Sequence, residues 1–367
     1  MFHVKLSTLS IHSVRNVGHA QLAQLGDINI IYGQNGAGKT TVLECIHMLA
    51  LGRSFRSTAL RPVIQRGQDH CVVSGRLQQK NRAPLAIGIQ RERKGGFTIR
   101  IDGETVRSAV ELAKILPLQL INAASYLLIE GGPKLRRQFI DWGVFHVEHR
   151  FYEEWRRMQR ALKQRNAILR AGGTAQQLLP WDRELIESGE FVHNARLRYL
   201  ESFCPVFQKM LAELCDLDGI SLSYRAGWDK TLSFAEALKA SQARDQNRGL
   251  THVGPQRADL KIAAYTEDAG QVLSRGQQKL VVSALRLAQT HCLTEQTGAH
   301  CLLLVDDLPA EMDAEHQRRL CGLLAALDMQ LFITCIDAGE IERFSWPAGR
   351  ELQWFHVKQG EITALNT

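Results

Sequence analysis

"LSRGQQK", Leu273–Lys279, decides how the rest of this chain is read. It offers a serine, an arginine, a glycine and two glutamines just ahead of an apolar run, "LVVSALRLA". Ser274 stands where a helix N-cap stands, and Gly276–Lys279 open a helical pattern whose apolar spacing runs to Leu293. One reading is a capped helix and nothing more. The other is a phosphate contact, made by the serine hydroxyl, the Gly276 N–H and the positive end of the helix dipole. Far upstream, "GQNGAGKT" at Gly33–Thr40 already matches G-x-x-x-x-G-K-[ST]. If that loop takes phosphate within its own chain, the second element is free to face a nucleotide held by another chain.

The first element has the right surroundings. A strand pattern, "DINIIYG", leads into it and a helical pattern, "TTVLECIHMLALG", leaves it. Its glycines let backbone N–H groups close around phosphate oxygens. Gly33, Gln34, Asn35, Gly36, Ala37, Gly38, Lys39, Thr40 and Thr41 are therefore the candidate nucleotide-binding residues, with Lys39 reaching the β- and γ-phosphates and Thr40 ligating Mg²⁺. "CLLLVDD", Cys301–Asp307, is an apolar strand pattern that ends in two carboxylates. Beside the loop, Asp306 is placed to hold Mg²⁺ and Asp307 to orient or deprotonate an attacking water.

Strand patterns "VKLSTLSIHSV", "HCVVSGRLQ", "PLAIGIQRE" and "GFTIRIDG" fill the rest of the first hundred residues. From about Pro133 the pattern turns helical to 170, breaks at Gly172 and Gly173, and resumes from Trp181 to about Leu217. A short strand, "ISLSYRAGW", and a helix, "TLSFAEALKASQARDQ", follow. After Gly249 strands and helices alternate again through "ADLKIAAYTE", "HCLLLVDD", a helix near Ala314–Leu327 and "MQLFITCID". The expected layout is an α/β ATPase lobe built from both ends of the chain, 1–130 and 249–367, with a mostly helical arm, 131–248, inserted between.

Composition excludes several classes. With 367 residues, 45% hydrophobic and 23% charged, the chain reads as globular, and no apolar run is long enough to span a bilayer. A cytoplasmic location and no membrane partner are expected. The eight cysteines lack metal-knuckle or redox spacing, and most lie in apolar segments, as buried free thiols do. "HVEH", His146–His149, has zinc-ligand residue types without the spacing that puts them on one helical face.

A loop of this kind, a signature similar to "LSGGQ" and a carboxylate-ended strand soon after it resemble the head of an ABC-type ATPase. The opening "LSIHSVRNVGHAQLAQLGDINIIYGQNGAGKTTVLECI", "LGRSFRS", "GGPKLRRQFIDWGVFH", "VGPQRADL" and "LLVDDLPAEMD" resemble, in order and along nearly the whole chain, the RecF family of recombination and repair proteins. The resemblance implies a slow, DNA-stimulated ATPase that dimerises with ATP on duplex DNA or at junctions with single strands. It also implies help in loading recombinase at single-strand gaps, together with RecR and RecO-type partners. Ser274, Gly276 and Gln277 would then act in trans on a homodimer mate's ATP, and Asp313 of "AEMD" would fall where the family's D-loop crosses the dimer interface. The chain departs from the pattern at Arg275, in place of a signature glycine, and at Gln256, in place of a histidine. Cys335 follows Thr334 where many ABC heads carry a switch histidine, and Asn122 lies near the Q-loop position.

A net charge of +7 suits a polyanionic partner, and its distribution sharpens the point. Ten basic residues against four acidic fall between Lys134 and Arg170, and Arg156, Arg160 and Lys163 share one helical face. With Arg53, Arg56 and Arg136 these are the candidate DNA contacts; Arg61 and Arg66 are further candidates near the head surface. The alternative is a solvated helix face. Aromatic residues from Phe139 to Trp155 recur at near-helical spacing, as packing groups do. The rival function is an ABC-type ATPase motor of a different complex, such as a transporter, distinguishable by nucleotide-dependent DNA binding without a membrane subunit. A nuclease-associated head would need His/Asp metal clusters the sequence lacks, and a small-molecule kinase has no use for "LSRGQQK".

Overall fold

The helix that follows the glycine loop, Lys39–Leu51, has nearly all of its residues buried, with Thr40, Glu44 and His47 along one side and mostly apolar residues around the rest. Such a helix must be covered all round, and two sheets do so. The computed structural model describes residues 4–57, 59, 61–79, 82–307, 313–342, 346–347 and 349–365. These fall into two units, 1–125 with 210–215 and 283–367, and 126–209 with 216–282.

In the first unit a six-stranded sheet runs in the order Glu361–Leu365, Leu352–Lys358, Ile28–Tyr32, Gln330–Cys335, Leu302–Val305, Leu118–Ile121. All pairs are parallel except the Leu352–Leu365 hairpin. Its inner strands, Ile28–Tyr32, Gln330–Cys335 and Leu302–Val305, are buried almost residue for residue, as strands covered on both faces must be. An antiparallel sheet in the order Val17–Leu22, Val4–Val14, His70–Gln79, Arg82–Glu92, Phe97–Ile101, Glu104–Val106 forms the other layer. Side chains of both sheets and of the helix share one apolar core, including Leu6, Ile11, Val73, Ile46, Leu304 and Phe332. Gly52 ends the helix in the left-handed conformation, φ 68°, where a Cβ would lie 2.8 Å from that of Ala109.

The second unit holds helices Pro133–Val147, Phe151–Arg170 and Ala175–Leu214, whose residues 210–214 belong to the first unit. A three-stranded sheet, Glu267–Asp268, Asp259–Ala264, Ile220–Arg225, and the short helices Phe234–Ala240 and Gln242–Arg248 complete it. Two expectations differ in detail. The helical stretch 133–170 is broken at Glu148–Arg150, and the following helix begins at Ala175, carrying Pro180 and Pro205 inside it. Residues 249–282 also group with the helical unit rather than with an ATPase segment 249–367. The cause is pairing: Asp259–Ala264 zips onto Arg225–Ile220, while Arg136 and Arg137 reach Asp259 and the Ala258 carbonyl.

Candidate functional site: a phosphate loop facing two carboxylates

Gly33, Gly36 and Gly38 have φ of 151°, 77° and 122°, values that side-chain-bearing residues rarely adopt. Gly33 has a second constraint, because a Cβ there would sit 2.2 Å from the Val357 carbonyl oxygen. Ala37 N–H closes the loop onto the Gln34 carbonyl at 3.1 Å. Lys39 curls back so that Nζ donates to the carbonyls of Gly33, 2.7 Å, and Gln34, 3.2 Å. The outside of the loop is braced twice. Asn16 Nδ2 donates to the Gly36 and Ala37 carbonyls at 3.3 and 3.0 Å while its Oδ1 accepts from Thr41, and Gly360 N–H donates to the Ala37 carbonyl at 2.8 Å.

The buried strand Leu302–Val305 delivers the two carboxylates at its carboxyl end. Thr40 Oγ1 donates to Asp306 Oδ1 at 3.0 Å, and Thr334 Oγ1 donates to the same oxygen at 2.8 Å. Thr334 also accepts the Asp307 N–H at 2.7 Å, so one hydroxyl sets both acidic residues. Burial pushes the Asp306 carboxyl up; the Thr334 and Thr40 hydroxyls pull it down, and the neighbouring Asp307 charge adds to the rise. Asp307 takes φ 59°, a left-handed turn that aspartate tolerates better than most residues. A cavity of about 380 Å³ results, lined by Arg15, Asn16, Asn35, Gly36, Gly38, Lys39, Thr40, Thr41, Arg56, Ala123, Asp306, Asp307 and Thr334.

Of the sequence-derived residues, Asn35, Gly36, Gly38, Lys39, Thr40, Thr41, Asp306 and Asp307 meet in one cavity, while Gly33, Gln34 and Ala37 do not line it. Arg15, Asn16 and Thr334 also line it, although the pattern arguments assigned them no role. The signal for the first two is a tight turn, Val14 paired with Val17, between alternating strands just upstream of the loop strand. Asn122 does not reach this centre by its side chain: Oδ1 accepts from Ala124 N–H and Ser125 Oγ, each at 3.1 Å, and neighbouring Ala123 lines the cavity instead.

The signature, in the second unit, is a reciprocal cap. Ser274 Oγ accepts the Gln277 N–H at 3.3 Å and Gln277 Oε1 accepts the Ser274 N–H at 2.9 Å, so helix Arg275–Thr297 starts with Ser274 exposed and Gly276 in its first turn. Arg275 neither hangs free nor crowds the cap: it pairs with Glu130 at 2.8 Å and lies over the Tyr126 ring at 4.3 Å. Gln256 Nε2 donates to the Val253 carbonyl at 2.8 Å. Asp313 caps helix Ala314–Ala326 through the N–H groups of Glu315 and His316; Ala310–Met312 of "AEMD" lie outside the described residues.

The candidate DNA contacts separate into three groups. Arg56 lines the phosphate cavity. Arg136 is held by two bonds to Asp259 and by the Ile129 and Gly131 carbonyls, which leaves it little for a phosphate. Arg53, Arg156, Arg160 and Lys163 are exposed, with Arg160 3.5 Å from Glu184. Among the described residues no group of three His, Cys, Asp or Glu side chains could hold a metal, and burial pushes His146 of "HVEH" down to about 4. Nor is any described helix long and apolar enough to cross a membrane.

A parallel sheet with a glycine loop, a helix buried behind it and paired aspartates at the end of the next strand but one defines a P-loop ATPase head. The model of the RecF/RecN/SMC N terminal domain family matches residues 5–360. The chain belongs to the RecF family: it is 50% identical over 361 residues to the DNA replication and repair protein RecF of Pseudomonas entomophila, 98% of both chains, and 50% over 362 residues to that of Pseudomonas putida, again 98% of both. Among solved structures, the recombination mediator protein RecF-ATP of the RecFOR pathway superposes with a TM-score of 0.86 at 23% identity, over 99% of this chain and 98% of that one. The Smc head domain of Pyrococcus furiosus does so at 0.60 and 14%, over 99% and 96%. These likenesses bear out an α/β ABC-type head with a helical insertion.

Proposed function

We propose that the chain is an ATP-dependent DNA-binding protein of recombinational repair and replication restart. The observation that carries this reading is the Thr40–Asp306–Thr334 hydrogen-bonded set beside the Lys39 cradle, which joins phosphate binding to an acidic centre. ATP occupies the loop, with its phosphates against the backbone N–H groups of Gly33–Thr41 and Lys39 redirected from the loop carbonyls to the β- and γ-oxygens. Thr40 Oγ1 and Asp306 Oδ1 are hard oxygen donors side by side, a set suited to Mg²⁺. Bound there, Mg²⁺ supplies charge neutralisation of the β- and γ-phosphate oxygens. Asp307 orients or deprotonates the attacking water.

The exposed Ser274 cap, with Gly276 and Gln277, serves a second copy's ATP, so that nucleotide assembles a homodimer and slow, DNA-stimulated hydrolysis releases it. Exposed Arg53, Arg156, Arg160 and Lys163 contact the phosphates of duplex DNA or of single-strand/duplex junctions without reading bases. A solved RecF that is a recombination mediator of the RecFOR pathway supports RecR and RecO-type proteins as partners; loading of recombinase at single-strand gaps is the task that the family resemblance implies. Light-scattering mass against ATP–Mg²⁺, with and without a short duplex, tests the reading. The wild type is expected to double in mass, more readily with DNA, whereas Ser274→Arg binds ATP and stays monomeric. Normal dimerisation of Ser274→Arg would overturn the trans role of the signature. A wild type that binds ATP and stays monomeric would point to a hetero-complex motor.

A further inference from the structure

Glu44 lies one helical turn beyond Thr40 on the loop helix, and its side chain is wholly buried. A carboxylate taken out of water is costly unless donors satisfy it. Three groups of the cavity wall and its rim converge on this one. Arg15 engages both oxygens, through Nε to Oε2 and through Nη2 to Oε1 at 2.7 Å. The Ser54 hydroxyl donates to Oε1, and Arg56 Nη1 stands 3.8 Å from Oε2. Ser54 Oγ in turn accepts the N–H groups of Arg56 and Ser57, each at 3.0 Å.

One carboxylate therefore fixes the turn Ser54–Ser57, and with it the placement of Arg56. The two arginines differ in consequence. Arg15 is neutralised by a bidentate pair. Arg56 is 42% exposed and lies beyond hydrogen-bond reach of Glu44, on a cavity wall shared with Asp306 and Asp307. Its charge acts on the Asp306 carboxyl.

We propose that Glu44 is a positioning residue for recognition of the third phosphate: through Ser54 it holds Arg56 on the Asp306 side of the cavity, where ATP and ADP differ. The proposal rests on the ATP-site reading above. A residue that merely stabilised the loop helix would support both nucleotides alike; one that places Arg56 would favour ATP. The test measures dissociation constants for ATP and ADP, each with Mg²⁺, by titration calorimetry on the full chain, its Ser54→Ala and its Glu44→Gln variants. Each variant is expected to weaken ATP by about tenfold and ADP by less than about twofold, the scale of one charge-assisted hydrogen bond. Equal losses for the two nucleotides, or no loss, would overturn the positioning role. A wild type that binds neither nucleotide would remove the ATP-site reading, and the proposal with it. Ser54→Ala leaves the buried Arg15–Glu44 pair in place, so it decides the matter alone if Glu44→Gln does not fold.

Discussion

Thr334 shows how much a single hydroxyl can organise. It donates to Asp306 and accepts from the Asp307 backbone, so it fixes the carboxylate proposed for Mg²⁺ and the turn that carries the proposed hydrolytic residue. Many ABC heads carry a histidine next to this position, and the Cys335 that follows Thr334 here is buried. Thr334→Val keeps the shape and removes one of the two hydroxyls that lower the Asp306 pKa. Asp306 should then protonate at higher pH than in the wild type. The acid limb of the pH–rate profile for ATP hydrolysis is expected to move upward, with the loss of rate largest at the acid end. An unmoved acid limb would mean that Asp306 does not have to be ionised for turnover. The sequence exposed Asp306 and Asp307 because an apolar run ended in them. Thr334 was hidden because its only credential is a neighbouring strand, Ile333 beside Val305, that brings it to the same edge.

Among elements, the loop, its helix and the inner strands were legible because their signals are local: a glycine pattern, a buried apolar run, a turn. Strand Leu118–Ile121 was not, being only four residues, Leu-Gln-Leu-Ile, behind Pro117, too short for a pattern to mark it, and its hydrogen bonds go to a strand far along the chain. Charge on helix Phe151–Arg170 was legible as residue type and misleading as surface. Arg165 is fully buried against Asp182, Asp245 and Thr251, and Arg157 is tied to Glu154, Glu184 and Glu187, partners that lie mostly beyond the helix itself. What remains outward is the face of Arg156, Arg160 and Lys163, with Arg170 at the helix end. If these three contact duplex phosphates, replacing them together with glutamine should flatten the plot of log affinity against log salt by about 3 in slope, at close to 0.9 per phosphate contact. Binding measured between low and physiological salt checks this; an unchanged slope would place DNA elsewhere.

At the scale of the whole molecule, the core of the first unit carries a pH dependence of its own. His47 is 7% exposed on the loop helix, with Nδ1 2.7 Å from the Arg53 carbonyl, and burial lowers its pKa to about 4. A base whose folded pKa lies below its unfolded value favours folding while neutral. Its contribution is full above about pH 6.5 and is lost as pH falls toward about 4, a total of roughly 3 kcal/mol. Denaturant unfolding followed from pH 7 to 4 is expected to show that loss, and His47→Gln, though less stable at pH 7, should show a shallower one. Equal slopes for the two proteins would assign the acid sensitivity to other groups. The split of residues 249–282 from the ATPase segment belongs to this scale too. It was illegible because strand pairing between Asp259–Ala264 and Ile220–Arg225, and not a change of composition, sets the grouping.

The brace at Gly360 bears on how the molecule is made. The phosphate loop, Gly33–Thr40, is made well before its outer wall, the hairpin of Leu352–Lys358 and Glu361–Leu365, where Gly33 meets the Val357 carbonyl and the Ala37 carbonyl receives the Gly360 N–H. A nascent chain that has exposed only the loop and its helix lacks the strand those contacts require. The loop therefore gains its full set of outer contacts only after Leu352–Gly360 have followed it out and paired beside Ile28–Tyr32.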